Sequence, residues 1–429
     1  MSRIWIILLV VTLVPTSICR GESVWSGFRG TGNSIANAKD LPLKWEMRGR
    51  RAGSWNIRLP GYGQSSPVVW GNQVYVTSVS GEMKESLHLL AINLSDGQTI
   101  WQRDFTGTQK VKDSDAVSRG APTPVVDAER VYVLFESGDL YALTHSGEQL
   151  WSRSIVKDYG EFKGPHGFSS SPVLAEGKLI IQVCHGGPSY LLALDPRTGE
   201  NVWKVDHPAQ TGWSTPAVVE RDGDDLIIVT SVGSVRGYSA GDGHEEWFVT
   251  GLSGNSTASP TVKGDLVVIG AGQRDPGDKG ASVAIKLGGQ GDVTNTHVVW
   301  QSSKATTGYS SPLVHEGHAY LVNKVGVATC VDIQSGEVRW TERLAGTCWA
   351  SPVAVGEHVV FFCKDGDVMV FKTGPEKSLV SESSISATDI LYGVAAVDGA
   401  WIARTGRALI KVSAASPTGA RDSVPPATP

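Results

Sequence analysis

A Ser/Thr-Pro pair opening a Val-rich run recurs along the chain, at Ser66-Pro67, Thr123-Pro124, Ser171-Pro172, Thr215-Pro216, Ser259-Pro260, Ser311-Pro312 and Ser351-Pro352. Successive prolines lie 57, 48, 44, 44, 52 and 40 residues apart, and a weaker eighth copy without proline begins at Ala395-Ala396-Val397-Asp398-Gly399. A period of this length marks a repeat architecture in which each unit is one supersecondary element. Every unit follows one script of strand, turn, second strand and third apolar strand. A Gly turn then precedes a Trp by four residues: Gly97 and Trp101, Gly147 and Trp151, Gly199 and Trp203, Gly243 and Trp247, Gly336 and Trp340. Glycine supplies the positive φ that tight hairpins require. Four short strands per unit read as one blade.

Eight units predict an all-β fold, an eight-bladed β-propeller with four-stranded blades. The last unit stops before a Trp strand of its own. Leu41-Pro-Leu-Lys-Trp45 has the look of an orphan Trp strand, so this N-terminal segment is expected to complete the eighth blade and close the ring without an exposed edge. Five Trp in one repeating slot read as packing between blades, since a single ligand would not need them all. The 50 Gly and the charged fraction of 19% agree with a turn-rich β-protein. With 38 Lys+Arg against 43 Asp+Glu, there is no basic footprint for nucleic acid.

Arg3 followed by the apolar run Ile4 to Val14, Pro15 and small or polar residues to Gly21 reads as a secretory signal. The run is too short to span a bilayer, and no other segment could. Residues 1–21 are therefore expected to be a signal peptide, 22–412 the propeller, and 413–429 a disordered tail rich in Pro, Ala, Ser and Thr. The expected location is the periplasm or cell envelope. Ile18, standing where a small residue should precede Cys19, argues against a lipoprotein. Cys184, Cys330, Cys348 and Cys363 fit no zinc spacing and read as buried strand residues, with any pairing left open.

The chain resembles the PQQ-binding-like β-propeller repeat family, within the quinoprotein alcohol dehydrogenase-like superfamily. The resemblance rests on Ala193-Leu-Asp195-Pro-Arg-Thr198-Gly199-Glu-Asn-Val-Trp203 and on the leader Trp25-Ser-Gly-Phe28-Arg29-Gly30. It covers nearly all of the mature chain and implies the fold more than any activity. Enzymes of the family hold pyrroloquinoline quinone (PQQ) in the central funnel between a Trp and a disulfide of adjacent cysteines, with Ca²⁺ beneath it and an Asp as base. No two cysteines are adjacent here, and no carboxylate matches those roles by motif, so catalytic residues stay unassigned and no metal site is expected.

In such a fold the segments leading into the innermost strands ring one mouth of the central channel. Here they would point Tyr62, Arg119, His166, Trp213, Asn255, Tyr309, Trp349 and Tyr392 at it, either as a small-molecule site or as a self-satisfied plug. His185 reads as a loop histidine, with Arg274-Asp275 as a further rim candidate. Asp222-Gly-Asp224-Asp225 and Asp365-Gly-Asp367 read as solvated turns, and Leu287-Gly-Gly-Gln-Gly291 as a turn between strands. The expected function is an exported, non-enzymatic binding or scaffold protein with a protein partner. The alternative is a PQQ-dependent oxidoreductase, with PQQ and Ca²⁺ at the mouth and Arg119 as anion partner. A sugar-binding propeller would use the same aromatics.

Overall fold

The computed structural model describes residues 24–46, 53–221, 223–272 and 280–414. The expected signal at 1–21, nearly all of the tail, Asp222, Arg274 and Asp275 lie outside the described residues. Eight antiparallel sheets follow one another along the chain, as the repeat predicts. The first blade runs Val68–Trp70, Gln73–Ser80, Ser86–Asn93 and Thr99–Thr106, from the axis outwards. Alternation fails in its middle strands, where Val74 to Val79 and Leu87 to Ile92 are almost wholly buried, because both faces pack on neighbouring blades.

The Ser/Thr-Pro pair has a mechanical role. The backbone N–H of each Ser or Thr donates to the hydroxyl of its counterpart in the following blade, from Ser66 to Thr123, then Ser171, Thr215, Ser259, Ser311 and Ser351, at 2.9–3.0 Å. A belt of six such bonds runs round the axis, entirely from residues that are buried or nearly so. In the eighth blade Gly393 stands where a hydroxyl residue would be, and a Cβ there would fall 2.2 Å from Ser66 Oγ. The prolines begin innermost strands, where a missing N–H costs no ladder bond. Ser171→Ala is expected to lower unfolding free energy by about 1 kcal/mol, the value of one buried hydrogen bond with its donor left stranded. A urea titration measures it.

The Trp slot seals one blade to the next. Indole N–H groups of Trp55, Trp101, Trp151, Trp203, Trp300 and Trp340 donate to backbone carbonyls of the following blade, at Leu94, His145, Pro196, Ala240, Ile333 and Gly374. For the first five of these, the turn glycine of that following blade (Gly97, Gly147, Gly199, Gly243 and Gly336) lies against the same ring. At Gly147 φ is +82°, and an added Cβ would stand 2.7 Å from Trp101. Left-handed backbone strain and the clash act together, so Gly147→Ala should cost about 2–3 kcal/mol. The thermal midpoint checks this, with Gly177→Ala as control, since φ there is +65° and nothing lies within 4 Å.

Ring closure differs in detail from the sequence expectation. An N-terminal strand does close the eighth blade, but it is Trp55–Arg58, paired with Ala408–Ser413. Leu41 to Trp45 instead lies along the seventh blade's outer strand Leu379–Ser384. Ser381 Oγ donates to Leu43 O, and the Trp45 indole donates to Ser384 O at 2.7 Å. That outer strand carries no Trp of its own; Trp45 is buried beside it, and the Trp401 indole of blade eight donates to Pro42 O, so this segment packs between blades seven and eight. Leu41 to Trp45 therefore does not complete the eighth blade, contrary to the expectation from the sequence; Trp55–Arg58 does.

Three blades carry a fifth strand. Val24–Trp25 pairs antiparallel with the innermost strand of blade one, and Ile35–Ala36 pairs parallel with that of blade seven. The intervening Phe28 to Gly32 therefore forms the tip of a loop inserted into the central channel from the end opposite the mouth. Arg29 anchors the tip. Its guanidinium donates to Pro260 O, Thr261 Oγ1, Pro312 O and Ser34 Oγ, with no carboxylate of the described residues in contact, and burial draws its pKa down to about 9. On blade four, Gly291–Asp292 adds a parallel strand to the outer edge, and a four-residue helix, Thr294–His297, follows. The glycine-rich stretch before it is thus a turn into an edge strand.

Candidate functional site

The mouth is built from the segments that precede the belt. Tyr62 N–H and C=O bond Val79, while Gln64 and Ser65 N–H groups donate to Arg119 O and Gly120 O. Gln64 Oε1 accepts from Arg119 N–H at 2.9 Å. With Gly63 N–H donating to Gly406 O, these bonds bring the first, second and eighth blades to one rim. Tyr62 and Tyr392 share a hydrogen bond at 2.9 Å, and burial followed by that bond pushes the Tyr62 phenol well above its usual range. Trp349 meets Tyr392 edge-on at 5.4 Å and stacks on Tyr309 at 3.9 Å, giving a continuous aromatic row.

A cavity of about 480 Å³ lies beside this row, lined by Tyr62, Gln64, Asp115, Arg119, Trp349, Asp365, residues 387–390 and Tyr392. Four of the eight expected mouth residues line it, with Tyr309 stacked behind Trp349. The other three do not. His166 and Trp213 form their own pair at 5.7 Å, tied to Ala116 O and Gly167 O. Asn255 is buried within blade four, where its amide bonds Gly233 N–H, Ser231 O and Ser234 O and holds a turn in shape. His185 is a loop histidine as expected. Its Nδ1 accepts from Lys163 and Gly187 N–H, and burial takes its pKa down to about 4.

Arg119 is not a free cation. Its Nε lies 2.7 Å from Asp113, its Nη2 bonds Asp115, and its plane sits 4.5 Å over the Tyr62 ring. The loop bearing it is pinned from below by a buried Lys84–Glu136 pair at 3.5 Å, in which Glu136 accepts the Gly120 N–H and Lys84 donates to Ser118 O. The cavity wall also holds Asp389, whose two carboxylate oxygens are buried without a hydrogen-bond partner among the described residues. Beneath lies Arg404, fully buried, donating to Thr77 O and drawn down to a pKa of about 10 by desolvation against the pull of Asp389. Neither Asp389 nor Arg404 belongs to any repeated motif, so no pattern along the chain points to them. Asp365, expected as a solvated turn residue, is exposed yet also lines the cavity.

PQQ carries three carboxylates and requires cationic partners. The charged groups lining this cavity are Arg119, already matched by two aspartates, and Asp115, Asp365 and Asp389. Among the described residues no three His, Cys, Asp or Glu converge as a metal-binding set. The lining therefore does not fit the quinone, and no catalytic step is derived through it.

The family profile described as outer membrane protein assembly factor BamB matches residues 52–190, 187–290 and 291–400. BamB of Moranella endobia is 23% identical over 255 residues, 58% of this chain and 60% of that protein. The quinoprotein ethanol dehydrogenase of Pseudomonas putida is 25% identical over 234 residues, 47% of this chain and 35% of that one. The chain spans about half the length of the curated relatives it matches. Among solved structures, BamB from Moraxella catarrhalis superposes with a TM-score of 0.58 at 15% identity, covering 85% of this chain and 98% of that one, a likeness of fold. With the profile running over most of the ring, the chain belongs to the BamB-type family of PQQ-like repeat propellers in the quinoprotein alcohol dehydrogenase-like superfamily.

Proposed function

We propose that this chain is a protein-binding scaffold of the cell envelope, and that it holds neither PQQ nor Ca²⁺ at its mouth. One observation carries the reading. In the outermost strands of blades one, two, three and five, the residue just before the slot Trp is apolar and open: Ile100, Leu150, Val202 and Val299 are 46, 44, 48 and 43% exposed. An outermost strand is also a sheet edge with unpaired backbone groups, which invites strand addition. Blade four's edge is already covered in this way by the chain's own Gly291–Asp292. An extended segment of a partner would pair with one such open edge and cover the apolar side chain there. Relatives named as outer membrane assembly factors support a partner in the envelope; the dehydrogenase relatives support the enzymatic alternative.

The test is capture of partners from the native envelope by wild type and by Leu150→Asp/Val202→Asp. Both positions are exposed, so stability should shift by no more than about 0.5 kcal/mol each. Partners retained by wild type and lost by the double variant support the reading. Identical capture by both proteins counts against these edges, and no specific capture by either counts against the scaffold itself.

A further inference from the structure

Cys348 and Cys363 are both buried, and their sulfurs lie 3.8 Å apart. We propose that this pair is a disulfide-forming site that staples the inner half of the seventh blade. Cys348 stands in the segment leading into the innermost strand Val353–Val355, and Cys363 directly follows the second strand His358–Phe362. A bond between them closes the hairpin of those two strands at its mouth end.

The geometry is nearly that of the bond. Two thiols at van der Waals contact need to approach by under about 2 Å to reach the ordinary S–S length, a distance that side-chain rotation can cover. The remaining described cysteines make the contrast. Cys184 neighbours Gln182 and His207, and Cys330 neighbours Gly374 O, each packed as a small apolar side chain without a second sulfur in contact. The pair is also polarised. Cys348 donates to Cys363, and that hydrogen bond, with one from Gly346 N–H, holds the Cys363 thiol below its usual range while Cys348 is raised. Cys363 is thus the first thiolate to form.

The chemistry is thiol–disulfide exchange with a disulfide oxidant of the envelope or with oxidised glutathione. The Cys363 thiolate attacks one sulfur of the oxidant and releases its first thiol. Cys348 loses its proton, displaces the second thiol, and the S–S bond forms. Two electrons pass to the oxidant, which leaves as two thiols. Because both sulfurs are buried once the blade is packed, exchange precedes closure of the ring. The bond fixes two walls of the mouth cavity, since Trp349 adjoins Cys348 and Asp365 lies two residues past Cys363. The inference rests on the envelope location proposed above.

The full chain, purified without reductant, is unfolded in N-ethylmaleimide and digested for mass mapping. The expected result is label on Cys184 and Cys330 and a linked peptide joining Cys348 to Cys363, which reduction converts into two labelled peptides. In the Cys348→Ser variant Cys363 becomes labelled. Label on both Cys348 and Cys363 in wild type recovered from the envelope overturns the proposal while leaving the location intact. Should the chain be found outside the envelope, the location reading fails, and refolding the reduced chain with oxidised glutathione decides the pair: a linked peptide supports it, free thiols overturn it.

Discussion

Arg29→Met is expected to lower the unfolding free energy by about 3 kcal/mol and to expose Val24–Ala36 to hydrogen exchange. Two large effects oppose each other at this residue. Burying a guanidinium without a carboxylate costs several kcal/mol, so an apolar replacement recovers that cost. Against it stand four hydrogen bonds from a charged donor, each about 1.5–3 kcal/mol. Their loss also leaves Pro260 O and Pro312 O without their guanidinium donor on the channel axis, so the loss wins. Arg29→Lys separates charge from geometry. A single ammonium cannot span acceptors on blades five and six together with Ser34, and it should lose most of what methionine loses. A lysine variant as stable as wild type would mean that charge alone seats the loop.

Ile57→Pro is expected to open the eighth blade. Leu59 N–H bonds Arg407 O, and the period of two along a strand turns the Ile57 N–H towards the sheet as well, opposite Leu409. Proline removes that donor and prevents the strand from lying flat on its neighbour. A loss of about 3 kcal/mol, with faster exchange concentrated in Ala408–Ser413, is the expected result. Trp45→Ala makes the comparison, because its damage should fall on the boundary of blades seven and eight and leave Ala408–Ser413 paired. If the two variants exchanged at the same sites, closure by Trp55–Arg58 would be wrong.

Blade number, strand order and the Trp slot were legible because each depends on spacing within one unit. The closing strand was misassigned for a physical reason: Leu41 to Trp45 does pack between blades seven and eight, and nothing local distinguishes a Trp segment lying along blade seven from one completing blade eight. The Ser/Thr-Pro pair was visible as a marker, while the belt of hydroxyl acceptors emerges only when neighbouring blades are side by side. Half of the expected mouth residues converge on the cavity. Asn255 is drawn into the preceding blade, the fourth, because a buried amide must satisfy its hydrogen bonds. Asp389 and Arg404 carry no pattern, since their juxtaposition is made by the closed ring.

The most direct test is titration of the purified protein with PQQ, with and without Ca²⁺, by intrinsic Trp fluorescence corrected for quinone absorption. Trp349 lies in the cavity wall and reports occupancy there. A mouth whose guanidinium is already paired and whose other charged lining groups are Asp115, Asp365 and Asp389 predicts no saturable binding in the micromolar range under either condition. Arg119→Ala should then change nothing. Saturable, Ca²⁺-dependent binding that Arg119→Ala weakens would contradict the account and make the dehydrogenase relatives the better guide.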